Sequence, residues 1–203
     1  MHWTVIIPVK PAAIGKSRLG FGAEVARAIA LDTVAAVVAC EAVDRVIVVT
    51  ADAAFHPPGA EVLPERGPSG IDAAVAAGAA LAGIGTARAA LLGDLPSLIP
   101  GELAAALALA AQVPRSFVAD HEGTGTTLAT ASRGLELLTA FGADSAAKHR
   151  ALGLEELPLA SNSSVRFDVD TPGQLDLALA ALRQRATDAA SRSGRAPRRR
   201  SPR

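Results

Sequence analysis

Val5 to Leu19 reads V-I-I-P-V-K-P-A-A-I-G-K-S-R-L. A β-branched run opens the stretch. Lys10, Pro11, Gly15, Lys16, Ser17 and Arg18 then follow, which cannot continue a strand and place three cations within nine positions. The pattern is a strand emptying into a basic loop. In a parallel α/β sheet, ligands bind beyond the carboxyl ends of the strands, so a first strand with such a loop is well placed to receive polyanions, phosphates above all. A solvated basic turn is the alternative reading of the same residues. Gly15-Lys16-Ser17 lacks the earlier glycine of a Walker A loop, so side-chain cations would do more of the holding.

The bulk properties agree with one α/β domain. The 203 residues suit a single core, half of them are apolar, and aromatics are only 3%, so Ala, Val, Leu and Ile must build it. No apolar run approaches the ~20 residues that span a bilayer, and no signal-type start is present, so a cytoplasmic protein without a membrane partner is expected. Cys40, the single cysteine, excludes an internal disulfide and reads as packing. The net charge of zero hides an asymmetry: six arginines and one aspartate follow Ala186, leaving 14 basic and 19 acidic side chains before it. Residues 1–185 are therefore expected to form the domain, and 186–203 a disordered basic appendage; a nucleic-acid partner is not expected.

Along the chain, helical spacing of Val25, Ile29, Val34, Val37 and Val38 predicts a helix over Ala23 to Cys40. Arg45 to Thr50 reads as a central parallel strand, Glu61 to Leu63 as a short strand, and Ile71 to Ala82 as an Ala-rich helix. A strand at Ala89 to Leu92, a helix from Gly101 to Ala111, and strands at Ser116 to Ala119 and Thr126 to Ala131 come next. Ser145 to Leu152 predicts a helix with Asp144 or Ser145 as its cap, on which His149, between two cations, reads as a surface residue. Arg166 to Pro172 (R-F-D-V-D-T-P) alternates like a strand presenting Asp168 and Asp170 on one side, before a helix from Gly173 to Arg185 that Asp170 could cap.

Three segments carry candidate chemistry. Asp94 in Gly93-Asp94-Leu95-Pro96 stands at the carboxyl end of a buried strand, where a hard cation bound to phosphates would be held; the alternative is an aspartate satisfying turn amides. Gly123-Thr124-Gly125-Thr126-Thr127 offers amides and hydroxyls able to surround a small anion, or is simply a hairpin turn. Phe141-Gly142-Ala143-Asp144-Ser145 opens a helix whose start could form a second anion site.

In series, I-P-V-K with G-K-S-R-L, G-D-L-P, S-F-V-A-D with G-T-G-T, F-G-A-D-S with K-H-R, and F-D-V-D-T-P resemble the phosphoenolpyruvate or 2-phospho-L-lactate guanylyltransferases of deazaflavin coenzyme F(420) biosynthesis. The resemblance implies a three-layer α/β/α sandwich of the nucleotide-diphosphosugar transferase type (GT-A-like, Rossmann-like), with a mixed, mostly parallel sheet. It implies Mg2+ as cofactor, held by Asp94, Asp168 and Asp170, and GTP and a small phosphorylated carboxylic acid as partners. It gives Lys16, Arg18 and Asp94 to the catalytic step, Lys10, Lys16, Arg18 and Asp72 to the nucleotide, and Thr126, Gly142 and Ser145 to the acid. One departure is Gly70-Ile71-Asp72, where the family usually has Asn: a carboxylate accepts hydrogen bonds but does not donate. Phosphoenolpyruvate is favoured over 2-phospho-L-lactate; the oligomeric state, a homodimer included, stays open. A molybdopterin guanylyl- or cytidylyltransferase would need a broader acceptor pocket, and a non-catalytic nucleotide-binding regulator would not need the carboxylates.

Overall fold

The computed structural model describes residues 2–10, 22–67, 70–169, 171, 173–176 and 180. Within them the chain runs β1 (Trp3–Val9), α1 (Ala23–Val38), β2 (Val43–Thr50), β3 (Glu61–Pro64), α2 (Ile71–Ala82), β4 (Ala87–Leu91), α3 (Pro100–Ala110), β5 (Arg115–Ala119), β6 (Thr126–Ala131), α4 (Ser145–Ala151) and β7 (Glu155–Glu156). A single 3-10 turn, Ser164–Arg166, follows. The strands form one sheet in the order β3-β2-β1-β4-β6-β5-β7. Only β6 runs against its neighbours, pairing antiparallel with both β4 and β5.

β1 organises the layers because its side chains alternate between the two faces. Trp3, Val5 and Ile7 join Val34 and Val37 of α1 and Leu103 and Leu107 of α3 in one core. Ile6 points the other way, to Ile47, Val49 and the α2 residues Ala74 and Val75. Small residues let α2 lie close: a Cβ on Gly78 would stand 2.5 Å from Ile6 Cγ2. Cys40 is buried in the first core, and burial pushes its thiol pKa up, as a packing residue requires. Among the described residues no helix is long and apolar enough to cross a membrane.

The direction of β6 positions everything that follows. An antiparallel strand begins at the sheet edge where its parallel neighbours end. Leu91 pairs with Leu128, and Ala119 with Thr126, so the end of β4, the end of β5 and the start of β6 share one edge with the end of β1.

Two expectations are corrected. Phe167 to Val169 form no strand; the chain leaves a 3-10 turn, and Val169 N donates to Asp94 O at 2.9 Å, so its partner is a turn rather than a strand. His149 is buried at 0% exposure rather than on the surface, because α4 packs that side of its single pair of turns on Phe117. At the start of the segment that follows, Gln174 N donates to Thr171 Oγ1 at 3.3 Å and Thr171 N to Gln174 Oε1 at 2.8 Å. Asp170 itself, the basic-loop residues Lys16 and Arg18, and the basic tail lie outside the described residues.

Candidate active site

Asp94 is placed by three neighbours of its turn. Leu92 N donates to Thr127 O at 2.9 Å, extending the sheet by one residue. Gly93 lies so close to β1 that a Cβ would stand 3.2 Å from Pro8 O. Leu95 N donates at 3.0 Å to Thr33 Oγ1, itself buried in α1 and donating to Ile29 O. A turn fixed on both sides leaves the Asp94 side chain little choice of direction.

Asp168 reaches the same place from far along the chain. The preceding turn is clamped by Glu102 of α3, whose Oε2 accepts from Ser164 N at 2.5 Å and from Ser164 Oγ at 2.8 Å. Thr127 Oγ1 donates to Val165 O at 2.6 Å, and the Arg166 guanidinium donates to Asp120 O at 2.8 Å. His121 stacks on Phe167 with centroids 5.3 Å apart, its Nδ1 3.9 Å from Asp168 Oδ1. The bond from Val169 N to Asp94 O then ties the two carboxylate-bearing segments together.

The glycine- and threonine-rich loop lines the same cavity. Asp120 fixes it, Oδ1 accepting from Thr124 N at 3.0 Å and Oδ2 from Gly125 N at 2.8 Å. A Cβ at 125 would stand 2.2 Å from Asp120 Oδ2, so any larger residue there must push that carboxylate off its amides. Ser145 N donates to Gly142 O and Ala146 N to Thr124 O, so the first amides of α4 bind loop carbonyls and join the two loops. Asp144, left-handed at φ 54°, makes no side-chain cap. Thr126 Oγ1 lies 3.0 Å from His149 Nδ1, while Ala140 N donates to His149 Nε2 at 3.1 Å. Burial pushes the His149 pKa down, against weaker upward pulls from the Ser145 carbonyl and the Asp72 charge.

Lys10, Asp94, Asp168, Thr126, Gly142 and Ser145 line one cavity of about 450 Å³. Asp72 is not on its lining; its Oδ1 accepts from Phe141 N at 3.0 Å, bracing the loop before Gly142. A second cavity of about 480 Å³ adjoins it through Pro8, Val9, Lys10 and Ile71. Sequence reasoning missed Thr33, Glu102 and Asp120, the residues that hold the site. A lone polar side chain on an apolar helix face was the available signal for the first, and an aspartate ahead of a glycine loop for the last.

This chain is 49% identical over 195 residues to the phosphoenolpyruvate guanylyltransferase of Streptomyces coelicolor, covering 89% of this chain and 91% of that protein. The chain belongs to the phosphoenolpyruvate guanylyltransferase family. The guanylyltransferase of Thermomonospora curvata is 46% identical over 192 residues, covering 89% and 84% of the two chains. No family model matches. Among solved structures, a nucleotidyl transferase of Methanothermobacter superposes with a TM-score of 0.63 at 15% identity, covering 90% of this chain and 99% of that one. A Mycobacterium tuberculosis protein in complex with manganese gives 0.59 at 18% identity, over 88% and 98%. The fold of this guanylyltransferase-family chain is thus the nucleotide-diphospho-sugar transferase fold, its seven-stranded sheet mixed and mostly parallel.

Proposed function

We propose that the chain transfers GMP from GTP to phosphoenolpyruvate in the cytoplasm, giving enolpyruvoyl-2-diphospho-5'-guanosine and pyrophosphate in coenzyme F(420) biosynthesis. The observation that carries this is the meeting of Asp94 and Asp168, from distant parts of the sequence, on one cavity with Thr126, Gly142 and Ser145. The choice of acid follows the name that the relatives in Streptomyces coelicolor and Thermomonospora curvata bear.

The two adjoining cavities suit two substrates. The one bordered by Val49, Ala51, Gly70 and Ala74 has the small, largely apolar lining that a nucleoside needs, and Lys10 stands where both meet. The acid would sit against Thr126, Gly142 and Ser145. A phosphate oxygen of the acid then attacks the α-phosphorus of GTP, and the bond to the β-phosphate oxygen breaks with its electrons leaving on pyrophosphate. The attacking phosphomonoester is already largely ionised near neutral pH, so no general base is needed. The obstacle is repulsion between two anions and the charge growing on the leaving group. Lys10, Lys16 and Arg18 are the cations we assign to it.

The residues fit a magnesium ion. Among the described residues no group of three or more metal-ligating side chains occurs, but Mg2+ is commonly held by one or two carboxylates with water and substrate phosphates completing the shell. Asp94 and Asp168 supply those oxygens, with Asp170 as a third candidate. Bound there, the ion would neutralise the triphosphate and the departing charge.

Incubation of the protein with GTP and each acid, with and without magnesium, tests the reading by pyrophosphate release and product mass. The guanylylated product with phosphoenolpyruvate is expected. A product only with 2-phospho-L-lactate would change the acceptor, and no pyrophosphate with any pair would remove the activity.

A further inference from the structure

His149 has no part in the chemistry above, yet its ring is enclosed in the acceptor wall. Phe117 stacks on it at 5.6 Å between centroids and Phe141 meets it edge-on at 5.3 Å. Both nitrogens have partners, and the partners fix the tautomer. Ala140 N can only donate, so Nε2 accepts and carries no hydrogen. A neutral imidazole must then carry its hydrogen on Nδ1, and an imidazolium would set N–H against N–H at Ala140. Burial favours the same neutral form.

The consequence falls on Thr126. With a hydrogen on Nδ1, 3.0 Å away and shared with the Ser145 carbonyl, Thr126 Oγ1 cannot donate to the ring, and its own hydrogen must point elsewhere. Among the described residues no other protein atom bonds to that hydroxyl, and the residue lines the cavity. A hydroxyl that would otherwise rotate between donor and acceptor roles is left as a donor toward the cavity. Phosphates and carboxylates are acceptors, so a fixed donor suits them, whereas a group that can only donate gains nothing from it.

We propose that His149 is a positioning residue for the phosphorylated acid, holding the Thr126 hydroxyl as a preset hydrogen-bond donor. This rests on the reading of the cavity as the acid's seat. His149 touches neither substrate; it acts only through Thr126.

Steady-state kinetics of Thr126→Val, Thr126→Ser, His149→Asn, His149→Leu and the Thr126→Val/His149→Leu double variant test it. Thr126→Val is expected to raise KM for phosphoenolpyruvate about tenfold with KM for GTP unchanged, and Thr126→Ser to restore it. His149→Leu frees the hydroxyl to rotate and is expected to raise the same KM about fivefold, but to add nothing in the Thr126→Val background. His149→Asn, whose amide nitrogen can stand in for Nδ1, is expected to recover most of the loss. If Thr126→Val leaves KM for the acid unchanged, the reading of the cavity fails, and the inference with it. If His149→Leu keeps its full effect without the Thr126 hydroxyl, the reading stands and the inference is overturned. Should the His149 variants not fold, ring 15N chemical shifts of the unaltered protein decide: hydrogen on Nδ1 supports the inference and hydrogen on Nε2 overturns it.

Discussion

Asp94 and Asp168 reach the cavity from segments tied to each other by a main-chain bond, whereas Thr126 reaches it from a wall braced by the side chains of Asp120, His149 and Asp72. On the carboxylate side the decisive bond is Val169 N to Asp94 O, which no side-chain substitution removes directly. On the acceptor side, Asp120, His149 and Asp72 each hold a loop by their own polar atoms. The difference teaches which kind of damage each wall shows. Removing a carboxylate should leave the frame standing and strip charge from the reaction, so the loss appears in turnover. Removing a brace from the acceptor wall should disturb where the acid sits, so the loss appears in KM and stability.

The contrast is tested most severely by Asp94→Ala. Its backbone carbonyl still accepts from Val169, so the melting temperature should stay close to that of the unaltered protein, while the barrier rises by ~3 kcal/mol, about a hundredfold in pyrophosphate release. Near-normal turnover in a folded variant would take Asp94 out of the mechanism. Glu102→Ala comes next, and reaches Asp168 only through the turn. Ser164 N and Ser164 Oγ lose their acceptor, which should cost about 2 kcal/mol in urea unfolding and roughly tenfold in turnover. Turnover unchanged at that loss of stability would show that the turn does not position Asp168.

Gly125→Ala is the matching perturbation on the other wall. The new Cβ must displace the Asp120 carboxylate, since the two would otherwise stand 2.2 Å apart. A destabilisation of about 1.5 kcal/mol is expected, with KM for phosphoenolpyruvate raised and KM for GTP little changed. An equal rise in both KM values would mean that the two walls are not independent.

The legible and illegible parts of the molecule divide along a physical line. Strands such as Arg45 to Thr50 could be read because a strand buried on both faces must be apolar throughout, and Asp94 because a carboxylate between glycine and proline at a strand end has few reasons to be there. Asp168 was readable as a cavity residue, though not as part of a 3-10 exit, because alternation tells which side chains share a side and says nothing of which backbone pairs with them. His149 was not readable. A seven-residue helix is too short for periodicity to show which face is buried, and its neighbours Lys148 and Arg150, both exposed, pointed to solvent. The only trace was Ala146 three residues earlier, on the same buried side. Thr33 and Glu102 act across 62 residues, a distance that no local pattern reports.

A smaller effect separates the walls by pH. Because burial lowers the folded pKa of His149 below its unfolded value near 6.5, the unfolded chain binds the proton more readily. The stabilising contribution is whole above the unfolded pKa and is lost as pH falls through the folded one, by at most about 1.4 kcal/mol per pH unit. Melting curves across that window should show a slope that His149→Leu removes, and a slope that survives the substitution would assign it to other groups.

Asp72→Asn is expected to do least, and the reason is specific to where this side chain sits. The amide of an asparagine and this chain's carboxylate both present an Oδ1 that can accept from Phe141 N, so the brace on the acceptor loop survives the exchange. The bond loses its charge assistance, but the position is solvent-exposed and the loss should stay below about 1 kcal/mol. The charge does reach His149, whose pKa Asp72 pulls upward, so the asparagine variant should lose more stability in acid, its acid limb deepening and ending at lower pH, while KM for GTP holds constant. A clear change in KM for GTP would instead bring Asp72 into contact with the nucleotide and make this residue part of the other wall.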